Sequence, residues 1–188
     1  MVSMLELWLP VLMSAVFVFF ASSVIHMCTP LHKGDYSRLP GEDAILESMR
    51  KEGVGRGGYM FPYAGSMKEM GSPEMLAKHN KGPVGFLTIV PNGPMNMGKG
   101  LAQWFVFCVV VTAFTAFVAN RGIDGSAVFD DVVATTLPTS LLGFALSNVT
   151  DSIWKGASWR VTAKFMLDGT VYAVVTAATF GWLWPVLD

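Results

Sequence analysis

Hydrophobic residues along the chain are gathered into four long runs that contain no charged residue. Each run approaches the length of about 20 residues that a helix needs to cross roughly 30 Å of hydrocarbon. The pattern therefore predicts an all-α fold: a polytopic helical membrane protein with four transmembrane helices. The predicted spans are Leu7–Ile25, Leu101–Ala119, Val132–Val149 and Gly169–Leu187.

Most polar positions lie between the first two runs, and this divides the chain into three parts. Residues 1–27 form the first transmembrane helix, residues 28–98 form a cytoplasmic segment with short helices, and residues 99–188 form a three-helix transmembrane region. Glu6 precedes the first run and no lysine or arginine does, so we interpret this run as a retained span and not as a signal peptide.

The polar segment contains signals for short elements. Pro40–Lys51 is acidic at its start and basic at its end, as expected for a helix whose dipole is balanced by side chains. Ser72 followed by Pro73 predicts a helix N-terminus, and this helix would end near residue 79 or 80. Val84–Val90 fits either a strand or an apolar segment lying on the membrane.

Composition agrees with a membrane protein. The chain is 52% hydrophobic and 14% charged, and its mean hydropathy is +0.47. A net charge of -1 provides no basic field for nucleic acid, so no nucleic-acid partner is expected. Two cysteines are too few for a disulfide framework or a four-thiolate zinc site.

The distribution of positive charge predicts the orientation. Of the 13 lysines and arginines, only Arg121 lies outside the two connections that join spans one to two and three to four. The positive-inside rule makes those connections cytoplasmic, so both termini are predicted outside. The tryptophans fall near predicted span ends, where indole rings prefer to lie, and they agree with this orientation.

Small residues recur every fourth position along the fourth span. They form a stripe that would let another helix backbone approach closely, and we predict a helix-packing role for it. The stripe consists of Gly169, Ala173, Ala177 and Gly181.

The third span contains a proline surrounded by hydroxyl-bearing residues. The proline leaves one helix carbonyl without its usual donor, and the hydroxyls can satisfy freed backbone groups. Such a kinked, polar helix either lines a cavity or is a tolerated kink. The candidate cavity-lining residues are Thr135, Thr136, Pro138, Thr139 and Ser140.

Candidate metal ligands cluster where the first span meets the polar segment. His26, Cys28 and His32 combine imidazole and thiol groups, which suit copper(I) or zinc. Asp168 begins the predicted fourth span, where we expect solvation by water or headgroups and an ion pair with Lys164 four residues earlier.

Sequence motifs for catalysis are missing. There is no nucleophile elbow and no HExxH motif, so no enzymatic activity and no cofactor are expected. Gly93–Gly100 approaches a phosphate-binding loop, but Gly100 occupies the place of the serine or threonine that would reach magnesium. We interpret this segment as a hinge into the second span.

Six stretches are distributed along most of the chain: Ile25–Tyr36, Leu39–Ala44, Tyr59–Pro62, Met97–Lys99, Ser152–Gly156 and Thr179–Pro185. In these stretches the chain resembles an uncharacterised family of small bacterial four-span integral membrane proteins, and the last stretch is the most distinctive. The resemblance implies a bacterial inner-membrane protein and brings no activity, substrate or catalytic residue with it.

Three functional interpretations follow from the sequence. The first is an accessory or scaffold subunit of a larger membrane complex, because deep charges and catalytic motifs are lacking. The alternative is a small oligomeric transporter or channel, and the third is a metal-handling membrane protein. The expected partners are the lipid bilayer and a membrane-protein partner or a second copy of the chain.

Overall fold

The computed structural model describes residues 2–123 and 125–185, and it confirms a mostly helical chain with four helices long and apolar enough to cross a membrane. The chain is thus a multi-pass membrane protein. The elements are α1 (Trp8–Cys28), α2 (Glu42–Lys51), β1 (Gly57–Phe61), α3 (Met67–Met70), α4 (Pro73–Lys81), β2 (Gly85–Ile89), α5 (Met97–Gly122), α6 (Phe129–Phe144), a 3₁₀ turn (Leu146–Asn148), α7 (Val149–Trp154) and α8 (Trp159–Leu183).

The described chain forms two compact units. One unit contains the four long helices, and the other comprises Tyr36–Pro94 together with Ile153–Gly156. In the first unit α1 packs against α5 and α8, and α6 packs against the same two helices. The four helices therefore close into a bundle in which each has two neighbours.

The third and fourth spans differ from their predicted bounds. Candidate spans extend over Phe129–Trp154 and Trp159–Leu183. The fourth helix begins ten positions before the predicted Gly169 because it continues through charged residues that a charge-free run excludes. The last two residues of the predicted fourth span, 186 and 187, lie outside the described residues.

The helix of the third span continues through its proline and is interrupted later. Pro138 lies inside α6, and the helix ends only at Phe144. Asn148 then donates from its side-chain amide to the carbonyls of Phe144 and Ala145, at 2.9 and 3.1 Å. These bonds satisfy carbonyls that the end of the helix leaves free. The helix is therefore interrupted six residues beyond Pro138.

The stripe of small residues on α8 lies against α6. A Cβ added to Gly169 would lie 2.2 Å from the carbonyl oxygen of Phe144, and one added to Gly181 would lie 2.6 Å from the ring of Phe129. The two alanines between these glycines are fully buried. The stripe thus packs within the chain, where only glycine allows so close an approach.

The second unit contains a two-stranded antiparallel sheet and short helices. Strand β1 pairs with β2 in a register that places Gly57 opposite Ile89. The predicted helix start is confirmed, because the Ser72 hydroxyl accepts from the Met75 amide at 3.2 Å. The Val84–Val90 run contains strand β2, whereas no strand is predicted from sequence at the position of its partner β1.

Candidate functional site: a histidine–aspartate cluster beside an apolar cavity

The segment that follows α1 folds back toward α8. Its turn is closed by a backbone bond from the Asp35 amide to the His32 carbonyl at 3.2 Å. Gly34 adopts a φ of 87°, a left-handed conformation that glycine tolerates without a steric cost. This turn directs the side chains of His32 and Asp35 toward residues of α8 in the same compact unit.

His32 lies between two carboxylates. Its Nδ1 lies 2.7 Å from Asp35 Oδ2 and its Nε2 lies 2.7 Å from Asp168 Oδ2, and both distances are those of hydrogen bonds. Lys164, one turn before Asp168 on α8, donates its ammonium to the other oxygen of Asp35. The Asp35 and Asp168 side chains are 3% and 2% exposed, so the network is withdrawn from solvent.

The buried carboxylates of this network have charged or polar partners. The Lys164 ammonium and Nδ1 of His32 lie against Asp35, and Nε2 of His32 lies against Asp168. Burial of charge is tolerated only with such pairing and hydrogen bonding. The bonds from Lys164 and then from His32 lower the pKa of Asp35 below its usual value.

A second histidine completes a cluster of potential metal ligands. Nε2 of His26 lies 3.6 Å from Asp168 Oδ2, and the rings of His26 and His32 stack with centroids 4.4 Å apart. The Phe165 ring contacts both imidazoles, at centroid distances of 5.0 Å from His32 and 6.4 Å from His26. One ligand atom from each of His26, His32 and Asp168 lies within 4.8 Å of the others.

Next to this cluster, the bundle contains a cavity of about 630 Å³. Residues of all four long helices line it. Its polar end carries His26, Asp168 and Tyr172, and much of its remaining wall is apolar. The principal apolar lining residues are Met97, Leu101, Trp104, Phe107, Phe144 and Phe165.

Two buried polar atoms at the polar end have no hydrogen-bond partner among the described residues. They are Asp168 Oδ1 and the Tyr172 hydroxyl, on residues that are 2% and 4% exposed. Asp168 and Tyr172 are four positions apart on α8 and therefore share one helix face. Buried polar atoms are usually bonded, so an unpartnered pair beside a cavity indicates a ligand-binding role.

Aromatic rings form the wall near Tyr172. Trp104 lies 5.6 Å from Phe107 and 5.7 Å from Tyr172 between ring centroids, and Phe144 lies 5.9 Å from Tyr172. The indole N–H of Trp104 donates to the Ser22 hydroxyl at 2.9 Å. This bond joins α5 to α1 and fixes the orientation of the indole at the cavity.

The structure brings together two of the three predicted metal ligands. His26 and His32 lie in the cluster, whereas Cys28 is exposed and Asp168 takes the third place. The sequence-based expectation for Asp168 is wrong in two respects: its carboxylate is buried, and it forms its hydrogen bond with His32. Lys164 is four residues from Asp168 but binds Asp35.

The residues predicted to line a cavity in the third span do not meet around one. Thr136 and Ser140 are fully buried and donate to carbonyls four residues earlier, and Ser140 also contacts the Thr115 hydroxyl at 3.2 Å. Pro138 is exposed, and Thr139 is half-buried and donates to the Thr135 carbonyl at 3.5 Å. None of the five lines the 630 Å³ cavity.

Asp35, Lys164 and Tyr172 are members of the site that sequence reasoning missed. The available signal was weak: Lys164, Asp168 and Tyr172 follow each other at intervals of four and so share a face of a helix that begins at Trp159. The start of this helix was predicted too late, and the three residues were consequently divided between a loop and a span.

Comparison of the chain with protein-family models, with curated proteins and with solved structures gives no match. The geometry of the cluster and its cavity is therefore the basis for the functional conclusion.

Proposed function

We propose that this multi-pass membrane protein binds a divalent transition-metal ion of the zinc class through His26, His32 and Asp168. The observation that supports this proposal is the convergence of two imidazoles and a buried carboxylate from two separate parts of the chain, with ligand atoms within 4.8 Å of one another. Four ligand atoms at zinc bond lengths are about 3.3 Å apart in a tetrahedron, so small side-chain rotations suffice.

A second layer of contacts supports the same chemistry. Asp35 Oδ2 lies 2.7 Å from Nδ1 of His32, so a proton on Nδ1 has an acceptor and Nε2 faces the cluster. Metal-binding histidines in proteins commonly have such a carboxylate behind them. A metal ion would bind the unprotonated Nε2, and the bond from Nδ1 to Asp35 would be retained.

The donor set distinguishes between metals. Two imidazole nitrogens and one carboxylate oxygen suit zinc and neighbouring divalent ions, whereas copper(I) prefers thiolate and thioether sulfur. Cys28 lies outside the cluster, and this favours the divalent ion. Three protein ligands leave a fourth position, which solvent would supply.

The location proposed for this site is the cytoplasmic end of the bundle in a bacterial inner membrane. The cluster lies at the end of α1 and in the first half of α8, near the cation-rich connections of the chain. Under the positive-inside rule this end faces the cytoplasm and both termini lie outside. The protein would then hold its metal ion where the cytoplasmic pool supplies it.

Under this proposal the chain is a metal-handling membrane protein, the third of the interpretations from sequence. The accessory-subunit and transporter interpretations stay predictions. So do the absence of enzymatic activity, the membrane-protein partner and the resemblance to a bacterial four-span family. The stripe on α8 no longer supports an accessory role, because α6 of the same chain covers it.

Zinc binding to the purified chain tests the proposal. Protein carrying no histidine tag is treated with a chelator, dialysed against buffered Zn²⁺ and analysed for metal per chain. We expect one zinc ion per wild-type chain, retained in excess Mg²⁺, and at least about tenfold weaker binding for His32→Gln and Asp168→Asn. Cys28→Ser and His79→Gln are matched controls that should bind as wild type does.

Two results would contradict the proposal. Substoichiometric zinc in folded wild-type protein would remove the site. Full zinc binding by His32→Gln together with a loss in Cys28→Ser would show that the thiol is a ligand and His32 is not, against both the proposed site and the ligand set predicted from sequence.

A further inference from the structure

The polar end of the 630 Å³ cavity requires a hydrogen-bond donor from a ligand. Asp168 uses Oδ2 for the histidine cluster, while its Oδ1 is buried and unpartnered. The Tyr172 hydroxyl beside it is also buried and unpartnered, and it can donate or accept. A ligand hydroxyl placed between these atoms would donate to Asp168 and accept from Tyr172.

The charges around the cavity favour a neutral ligand. An anionic head, such as that of a fatty acid, would be repelled by the Asp168 carboxylate. A cationic head would compete with His26 and His32 for the Asp168 carboxylate, because both imidazoles already lie against its Oδ2. A hydroxyl group is a donor that brings no charge.

The walls favour a flat ring attached to an apolar chain. Trp104, Phe107, Phe144 and Tyr172 have ring centroids between 5.6 and 6.0 Å apart along the contacts that join them, and all four line the cavity. Aromatic groups pack well against such walls in edge-to-face or offset arrangements. The volume is within the roughly 300–1,000 Å³ of small-molecule sites, and the helices around it are candidate membrane spans.

We infer that this cavity binds a membrane-soluble quinol: a hydroquinone ring whose hydroxyl donates to Asp168 Oδ1, with its apolar tail along the aromatic wall. The inference goes beyond the proposed metal site, since it uses the Asp168 oxygen that the histidine cluster leaves free. No electron transfer is part of it.

The oxidation state of the ring provides the sharpest test. A hydroquinone with a decyl tail and the corresponding quinone are titrated separately, without oxygen, into the chelator-treated full chain in lipid nanodiscs, with calorimetry as the readout. The quinone carries carbonyl oxygens and no donor, so Asp168 Oδ1 would stay unpartnered in its complex. We expect saturable binding at one site, with the hydroquinone about tenfold tighter.

Two variants probe opposite ends of the ligand. Tyr172→Phe removes only the hydroxyl and should weaken hydroquinone binding about fivefold, whereas Tyr63→Phe, an exposed control in the other unit, should not. Ser23→Phe places a ring in the cavity and should abolish binding. Thr170→Phe puts the same ring on the exposed side of α8, and binding should persist.

Equal affinity for hydroquinone and quinone would overturn the inference, as would dodecanol binding as tightly as the hydroquinone or unchanged binding by Tyr172→Phe. Because Tyr172→Phe preserves side-chain shape, its result stands even if Ser23→Phe fails to fold. Zinc titration of the same preparations separates the two proposals. If the chain binds zinc but binds hydroquinone and quinone equally well, only the metal-site proposal is supported. If it prefers the hydroquinone but binds no zinc, only the quinol-site proposal is supported.

Discussion

Nε2 of His32 lies 2.7 Å from Asp168 Oδ2, although 136 positions separate the two residues in the chain. The contact joins the turn after α1 to the first half of α8, and both side chains are largely withdrawn from solvent. A buried charged pair stabilises the fold only while both partners and their further bonds are present. The cluster is therefore both a tertiary contact and the proposed metal site.

Removal of one charge should reveal the structural part of this role. Asp168→Ala leaves His32 without one of its two carboxylate partners and is expected to destabilise the bundle by about 3–5 kcal/mol. Reversible unfolding in mixed micelles followed by circular dichroism measures this change. Asp130→Ala, an exposed aspartate at the start of α6, is the control and should change stability by under about 0.5 kcal/mol. Similar losses in both variants would contradict a special role for Asp168.

Lys164 should act on metal binding through Asp35. Lys164→Met keeps the length of the side chain and removes the ammonium that holds Asp35, so His32 loses its fixed orientation. We expect zinc affinity to fall about tenfold, although Lys164 contributes no ligand atom. Lys33→Met removes an exposed cation next to His32 in sequence and should leave affinity unchanged. Equal effects in the two variants would indicate general electrostatics and not positioning.

The bond from Trp104 to Ser22 should stabilise the contact between α5 and α1. Ser22→Ala removes the acceptor and leaves the indole N–H unpaired, at an expected cost of about 1–3 kcal/mol. Ser23→Ala is a close control, because the Ser23 hydroxyl donates to the Phe19 carbonyl within its own helix. Thermal unfolding in one detergent compares the two. A larger loss for Ser23→Ala would refute the assignment.

Gly169 should tolerate no side chain. In Gly169→Ala the new methyl would meet the Phe144 carbonyl 2.2 Å away, and separation of α8 from α6 is expected to cost about 1–3 kcal/mol. Gly100→Ala has no atom within 4 Å of its added methyl and should be neutral or stabilising, since alanine favours helices. Unfolding in mixed micelles compares the two variants. Wild-type stability of Gly169→Ala would show that the helices are farther apart.

The two native cysteines test the proposed orientation. Cys28 is exposed at the end of α1 and Cys108 is buried within α5, so only Cys28 should react with a maleimide. A membrane-impermeant maleimide added to bacterial spheroplasts should label no cysteine until the membrane is lysed, because the end of α1 is proposed to face the cytoplasm. Cys28→Ser is the control and should stay unlabelled after lysis. Labelling of Cys28 in intact spheroplasts would contradict the proposed orientation and indicate the opposite one.

Local chemistry in the sequence was sufficient to predict several elements. Four apolar runs predicted four long helices, because a helix is the simplest way to satisfy every backbone group in lipid. Ser72 predicted the start of α4 through a bond to the Met75 amide three residues away. The spacing of small residues on α8 predicted a close contact, and the structure identifies α6 as the helix that makes it.

The start of the fourth helix shows why the site was harder to predict. A search for charge-free runs treats Lys164 and Asp168 as the limit of a span, because an isolated charge in hydrocarbon is costly. The bundle removes much of this cost by pairing each charge with a residue from the turn after α1. Those partners are more than 120 positions away, and local patterns contain no information about such pairs.

The sequence by itself determined the number of long helices, their approximate positions and the histidines at the end of the first one. These features depend on hydrophobic length and local hydrogen bonds, which neighbouring residues define. Tertiary structure alone decided that Asp168, and not Cys28, joins His26 and His32, and that an aromatic cavity lies beside them. The reason is physical: buried charges and cavities are stabilised or shaped by groups that meet only when distant helices pack.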